Sequence, residues 1–229
     1  MSKRQVVGMM SEWSGVIRDM FRQFDDGSLT LEHARAFTEH RNPFVITDIR
    51  QEWQDFYRKY FRAEFDFSDV PIPDDPGDFT RIIFIPRGMT LSWVIKTLRK
   101  HFPVSVYLGD LDRNTVVNLR ITDRSYAIRT RDCVEADKDL MFISASQFEK
   151  QNTSILNLLE RLIYELKYYC ETNQHLDVQN TTLCAGPRPQ DGGVLGVKWD
   201  ADNEELLVCW HYPSCAYENL RARRVISSK

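Results

Sequence analysis

The segment from Ile155 to Cys170 carries the clearest helical pattern in the chain and constrains the fold most. Its large apolar side chains recur at three- and four-residue spacing, which places them on one stripe of an α-helix. The stripe consists of Ile155, Leu158, Leu159, Leu162, Ile163, Leu166 and Tyr169, and the other face carries Glu160, Arg161, Glu165 and Lys167. Burial of the stripe would contribute roughly 10–20 kcal/mol before chain entropy is subtracted. This helix is therefore predicted to anchor a core.

The composition of the chain indicates where the protein is located and which classes of partner it can bind. The chain has 229 residues, of which 42% are hydrophobic, so it can bury a full core. A net charge of −3 provides no general attraction to nucleic acid or anionic membranes. Charged residues interrupt the apolar N-terminal run, and no apolar run approaches the roughly 20 residues of a membrane span. We expect a cytoplasmic protein with no membrane partner and with its five cysteines as free thiols.

The first 66 residues are predicted to form a helical region. Apolar residues from Val6 to Phe24 have helical spacing, and Asp26-Gly27 is a plausible stop. Thr30 can cap a short helix that extends to Arg41. A third helix, ending near Phe61, has an aromatic stripe that we interpret as core, with a partner-binding face as the alternative.

A segment rich in Asp, Pro and Gly, residues 67–78, is predicted to be a linker before an α+β domain of residues 79–229. Phe79 to Ile85, the helix from Thr90 to His101 and Val104 to Leu108 resemble a βαβ unit or a split version of one. Further strands are predicted at 116–121 and 125–130, and the C-terminal part should form a small antiparallel β region from strands near 193–199, 206–212 and 223–226. The fold class is therefore α+β, with N-terminal helices and a mixed sheet with packed helices.

Several short motifs in residues 79–229 resemble a group of uncharacterised bacterial proteins of similar length. The resemblance is carried by Ser125-Tyr126-Ala127-Ile128, Arg131-Asp132, Val134-Glu135-Ala136-Asp137, Leu158-Leu159-Glu160-Arg161-Leu162, Glu165-Leu166-Lys167-Tyr168, His175-Leu176-Asp177, Thr182-Leu183-Cys184-Ala185-Gly186 and Leu220-Arg221-Ala222-Arg223 with Val225. It implies no activity, because that group has none assigned. Cys209 and Cys215 are not part of its pattern.

One grouping of residues could support catalysis. His175, Asp177 and Cys184 are the only place where a base, an orienting carboxylate and a nucleophile lie close in sequence. The alternative is a histidine at a helix end, a turn aspartate and a buried cysteine. These residues are the candidate site of a Cys/His-dependent enzyme.

A second grouping could bind zinc. Cys209 and His211 would face the same side of a strand, and Cys184 and Cys215 could complete four soft ligands. No C-x-x-C or H-x-x-x-H knuckle is present, and isolated cysteines commonly behave as small buried hydrophobic residues. We predict no cofactor and no metal.

Two local clusters of arginine could bind nucleic acid. Arg129 and Arg131 lie in one cluster, and Arg221, Arg223 and Arg224 form the other. Arginines on the solvent faces of strands are the alternative.

These patterns lead to three expectations about function. The first and leading one is a non-catalytic module that binds another macromolecule, namely a protein. The second is a nucleic-acid-binding protein that uses the arginine clusters, and the third is the Cys/His-dependent enzyme. The sequence does not fix an oligomeric state.

Overall fold

The computed structural model describes residues 3–38, 48–107, 123–186 and 192–228, with the backbone alone for residues 3–12 and 32. The chain divides into two compact units, Met1–Asp48 and Ile49–Lys229. The second unit combines helices with one mixed and one antiparallel β-sheet, so the predicted α+β class is confirmed.

The first unit contains two helices, α1 (Lys3–Asp25) and α2 (Leu31–Thr38). After α1 the chain turns through Gly27, whose φ of +77° lies in the left-handed region that glycine adopts without strain. The Thr30 hydroxyl caps α2 by accepting a hydrogen bond from a backbone amide one turn later (3.3 Å). The predicted stop and cap are confirmed, whereas the predicted helix end at Arg41 lies outside the described residues.

The second unit begins with α3 (Ile49–Phe56), which continues into a π-helical turn, Tyr57–Phe61. Its aromatic stripe is buried in the principal core of this unit. The Tyr57 hydroxyl donates a hydrogen bond to the carbonyl of Phe84 (2.7 Å), a residue of the core strand that follows. The interpretation of the stripe as core is confirmed.

The division between the units falls earlier in the chain than the sequence indicates. Residues 49–66 supply apolar side chains to the second unit, and Phe67 and Val70 of the predicted linker are buried in the same core. Arg129 fastens this segment by donating to the carbonyls of Pro73 (2.6 Å) and Phe79 (3.2 Å). The stretch rich in Asp and Pro is irregular, as predicted, but apolar residues within it hold it on the domain.

Within the described residues, eight strands form two sheets. The antiparallel sheet has the order β1-β3-β8, from β1 (Arg81–Ile85), β3 (Tyr126–Thr130) and β8 (Ile226–Ser227). The mixed sheet has the order β2-β6-β5-β4-β7, from β2 (Val104–Val106), β4 (Thr181–Leu183), β5 (Val194–Asp200), β6 (Glu205–His211) and β7 (Leu220–Arg221). In the mixed sheet β2 and β7 are parallel to their neighbours, and the other pairs are antiparallel.

This topology departs from two predictions. β1, α4 (Leu91–Leu98) and β2 do not form a βαβ unit, because β1 and β2 belong to different sheets. β5 and β6 do form the expected antiparallel pair, but they lie in the middle of the mixed sheet, and β8 joins the other sheet. The strand predicted at 116–121 lies outside the described residues.

The mixed sheet lies between two apolar clusters. Leu195 and Val197 of β5 belong to the principal core, which also contains the apolar residues of α6 (Leu158–Thr172). Val194, which alternates with them along the strand, belongs to a smaller cluster with Phe148 of α5 (Ala145–Lys150). The predicted anchor helix is thus central to the core, and its N-terminus lies at Leu158 rather than Ile155.

Candidate functional site

The start of α6 is fixed by a capping box that is itself buried. The Asn157 side chain accepts from the amide of Glu160 (2.9 Å), and the Glu160 carboxylate accepts from the amide of Asn157 (2.8 Å). The second carboxylate oxygen of Glu160 accepts from the Tyr126 hydroxyl (3.0 Å). Glu160 is fully buried, and these contacts satisfy a carboxylate that the sequence pattern places on the polar face.

Next to this cap lies a cluster of four fully buried charges, Arg161, Glu165, Asp177 and Arg223, which we call the ion cluster. Arg161 contacts Glu165 (Nη1–Oε2 2.7 Å) and Asp177 (Nη2–Oδ2 2.8 Å). Arg223 contacts the other oxygen of Asp177 (Nη2–Oδ1 2.6 Å). Two cations and two anions make the cluster formally neutral, which is the condition for holding charges in a core.

Neighbouring polar groups complete the ion cluster. The Thr182 hydroxyl donates to Asp177 Oδ2 (2.5 Å). The Arg223 guanidinium also donates to the carbonyls of Cys133 (2.8 Å) and Val134 (2.7 Å). Burial alone would raise the pKa of Asp177, but Arg223 and Arg161 outweigh burial, so the pKa of Asp177 lies below its ordinary value.

His175 lies at the edge of the ion cluster inside an aromatic stack. Its imidazole is parallel to the Trp199 ring, with the centroids 3.4 Å apart and 3° between the planes. Phe102 contacts the imidazole edge to face (4.8 Å). Its Nδ1 lies 2.8 Å from Glu165 Oε1. The imidazole therefore joins the aromatic stack to the ion cluster through Glu165.

The structure separates the three residues of the proposed catalytic group. His175 bonds to Glu165, whereas both carboxylate oxygens of Asp177 are taken by Arg161, Arg223 and Thr182. Cys184 is buried, its Sγ lies 3.6 Å from the carbonyl oxygen of Thr182, and burial raises the pKa of its thiol. This arrangement is that of a packed structural cluster, since a Cys nucleophile needs an accessible thiolate and a base within reach.

Of the four residues of the proposed zinc site, two are in contact and the other two lie in separate apolar clusters. Cys209 Sγ lies 3.1 Å from His211 Nε2, so these two are in contact as their spacing predicts. Cys184 belongs to the principal core, while Cys215 packs against the smaller cluster. Across the described ranges 3–38, 48–107, 123–186 and 192–228, no group of three or more His, Cys, Asp or Glu residues is arranged to hold a metal.

The arginines of the first predicted nucleic-acid cluster make internal contacts. Arg129 bonds to backbone carbonyls, as described above. Arg131 forms ion pairs with three carboxylates: Asp78 (2.7 Å), Asp137 (2.9 Å) and Asp139 (3.0 Å). Its charge is therefore offset within the fold.

The C-terminal arginines are engaged in the same way. Arg223 belongs to the ion cluster. Arg221 donates to the carbonyls of Glu218 (3.1 Å) and Ala136 (3.5 Å), and Arg224 Nη2 lies 3.8 Å from Asp139. Both clusters tie separate chain segments together. Arg223 is fully buried, so it lies neither on a solvent face nor on a surface that nucleic acid could reach.

A different surface has the properties of a contact site: the apolar stripe of α1, formed by Trp13, Val16, Ile17 and Phe21. All four side chains are exposed, and Trp13 and Phe21 retain 62% and 65% of their accessible surface. Exposed apolar patches with a polar rim mark interaction sites in proteins. The regular spacing from Val6 to Phe24 indicates this stripe, but sequence alone cannot distinguish a stripe that faces a core from one that faces solvent.

Comparison of the chain with protein-family models, with curated proteins and with solved structures finds no match. In the described part of the chain, no helix is both long enough and apolar enough to span a membrane. The fold and the contacts above therefore define an α+β protein with a charge-neutral ion cluster in its core and a helix in its first unit that bears an exposed apolar stripe.

Proposed function

We propose that this chain is a non-catalytic protein-interaction module and that the apolar stripe of α1 is its contact surface. The observation that carries the proposal is the exposure of Trp13 and Phe21, two large aromatic side chains on one helical face. Aromatic residues of this kind supply most of the binding energy at protein interfaces. Helix-in-groove and helix-on-helix contacts use apolar anchors at the spacing of this stripe.

The helix itself also favours a partner. α1 contains two glycines, Gly8 and Gly15, each of which costs about 1 kcal/mol of helix stability relative to alanine. In proteins, most helical stability comes from the packing of an amphipathic face rather than from intrinsic propensity. A bound partner that covers the stripe would supply this missing contribution.

Site-specific photo-crosslinking in expressing cells tests the proposal. A benzophenone amino acid at Val16 lies on the stripe, whereas the same probe at Gly15 lies about 160° around the helix from Trp13. Gly15 is a suitable control because a side chain there meets no atom within 4 Å. We expect a protein adduct from position 16, identified by mass spectrometry, and none from position 15. Equal adducts from both positions, or none from either, would overturn the proposal.

A further inference from the structure

We infer that a basic patch on the second unit binds single-stranded nucleic acid. The patch consists of five exposed cationic side chains from two segments of the chain: Lys59, Arg62, Lys96, Arg99 and Lys100. It lies in a different unit from the α1 stripe, so the inference goes beyond the proposed function and does not depend on it. The patch also shares no residue with the two arginine clusters that the sequence suggests.

A long part of the sequence without acidic residues supplies three of these cations. No Asp or Glu occurs between Asp78 and Asp110, although the whole chain carries a net charge of −3. Lys96 is exposed on α4, and Arg99 and Lys100 follow in the turn that ends this helix. The exposed side of α4 is therefore positive in a chain that is acidic overall.

Aromatic contacts bring the π-helical turn after α3 to the same place. The Phe61 ring contacts Trp93 of α4, with the centroids 5.9 Å apart, and the Tyr60 ring contacts His101 (5.4 Å). Lys59 lies over the Tyr60 ring, with its Nζ 4.9 Å from the ring centroid. The π-helical turn and the end of α4 therefore contribute their cations to one surface.

The charges of the basic patch are not offset within the fold. Three of its members form no ion pair in the described part of the chain: Arg62, Lys96 and Lys100. Arg99 donates to the uncharged carbonyl of Val104 (3.3 Å). Asp55 (2.7 Å) and Glu64 (3.4 Å) both pair with Arg58 rather than with the patch. Unpaired cations that share one surface attract an anionic polymer.

The aromatic rings among these cations favour nucleic acid over an acidic protein. Tyr60 and Trp93 are half-buried, and His101 is exposed. Cations near a helix C-terminus also suit the helix dipole, but that role needs no aromatic residues beside them. Proteins bind single-stranded nucleic acid with cations that contact the phosphates and aromatic rings on which the bases stack. A single strand is therefore the ligand that can use both kinds of side chain in this patch.

Fluorescence anisotropy of a labelled single strand tests the inference. The probe is a mixed-sequence oligonucleotide of about 16 nucleotides, the upper site size of one small binding domain. It is titrated with the purified full chain. We expect binding that weakens as salt rises, because each phosphate contact contributes a slope of about −0.7 to log K against log salt concentration. No binding at about 0.05 M salt, or binding that salt does not weaken, would overturn the inference.

Removal of two cations locates the binding surface. If Lys96 and Lys100 contact phosphates, Lys96→Gln/Lys100→Gln should make the salt slope less steep by about 1.4 and raise the dissociation constant roughly twenty-fivefold at about 0.1 M salt. Lys138→Gln/Lys150→Gln is the matched control, since it makes the same charge change at two exposed lysines on elements that pack in the smaller apolar cluster. It should leave binding nearly unchanged. Equal effects of the two double variants would contradict the assignment to this patch.

Removal of one exposed ring tests the class of ligand. His101→Ala should raise the dissociation constant at least about fivefold and leave the salt slope unchanged, because a stacked base is lost but no phosphate contact is. Polyglutamate of the same charge should compete poorly with the oligonucleotide. An unchanged constant for His101→Ala, or equally effective competition by polyglutamate, would mean that the ligand is not a single strand of nucleic acid. Near-ultraviolet circular dichroism checks that every variant is folded.

Discussion

α1 and α6 have the same kind of sequence pattern but differ in burial. Each has apolar residues at three- and four-residue spacing and charged residues between them. The stripe of α1 is exposed, whereas α6 is buried on its apolar side and also on the side that carries Glu160, Arg161 and Glu165. The comparison teaches that amphipathic spacing specifies a helix and a contact face. It does not specify whether the charged residues meet water or other charges.

Long-range ionic partners account for the burial of α6. Arg161 is paired within its helix with Glu165 and beyond it with Asp177, and Arg223 reaches the same aspartate from the C-terminal segment. Lys167 pairs with Glu52 of α3 and with Glu171 (2.6 Å). In α1, by contrast, the Asp19–Arg22 pair is local and exposed, and such pairs contribute little to stability.

The largest expected effect comes from breaking the ion cluster. Asp177→Asn leaves Arg161 and Arg223 buried with one anion between them, and we expect it to lower the free energy of unfolding by about 3–5 kcal/mol. Asn is the mildest replacement because Asp177 has a φ of +57°, a conformation that Asn tolerates. Asp19→Asn is the matched control in α1 and should leave denaturant unfolding nearly unchanged. If Asp177→Asn lowers the free energy of unfolding only slightly, water must reach the ion cluster and solvate the charge that is left unpaired.

The same variant should change the response to acid. Because the folded-state pKa of Asp177 is depressed, its contribution to stability is complete above its unfolded pKa of about 3.9 and is lost as pH falls through the folded value. Stability measured from neutral pH downwards should therefore decline less steeply in Asp177→Asn than in the unaltered chain. If stability falls equally steeply with pH in both proteins, the pKa of Asp177 must be the same in the folded and unfolded chain.

The next effect compares the apolar stripes directly. Leu162→Ala empties a fully buried position in α6 and should cost about 2–5 kcal/mol. Ile17→Ala removes an exposed side chain from α1 and should change the unfolding of the second unit by less than about 0.5 kcal/mol. Near-ultraviolet circular dichroism in denaturant follows the buried aromatic residues of that unit. Equal losses would show that the second unit depends on the α1 stripe.

The smallest effect concerns two glycines. A Cβ at Gly196 would lie 2.6 Å from the Thr181 side chain and 3.0 Å from His211, so Gly196→Ala should lower stability by about 1–3 kcal/mol. Gly15→Ala meets open space on α1 and should raise helix stability by about 0.5–1 kcal/mol. Thermal unfolding followed by far-ultraviolet circular dichroism would show whether each variant is less or more stable than the unaltered chain. A loss at Gly15 would indicate that this face of α1 is also covered.

Several features were predictable because their causes are local. The α+β class, the cap at Thr30, the turn at Gly27 and the antiparallel pairing of β5 with β6 follow from residues close together in the chain. The buried aromatic stripe of α3 was also identified. In the site, the contact between Cys209 and His211 followed from their spacing on one strand.

Other features depend on distant residues. The sequence suggests Asp177 as an orienting carboxylate for His175, two residues away, but Asp177 contacts Arg161 and Arg223, which are 16 and 46 residues distant. The βαβ prediction failed for a similar reason, since β2 pairs with β6, about a hundred residues later in the chain. The placement of residues 49–70 in the second unit also depends on distant partners, because their side chains pack against strands that follow them.

The sequence by itself determined where most of the helices and the longer strands form, since periodicity, caps and turns act over a few residues. The short strands β4 and β7 were not predicted. Only the tertiary structure decided what each face meets. A charged residue such as Arg161 can be buried when carboxylates from elsewhere in the chain offset the cost of removing it from water. An apolar stripe such as that of α1 remains exposed in the chain because burial requires a complementary surface, and spacing along one helix does not encode that surface.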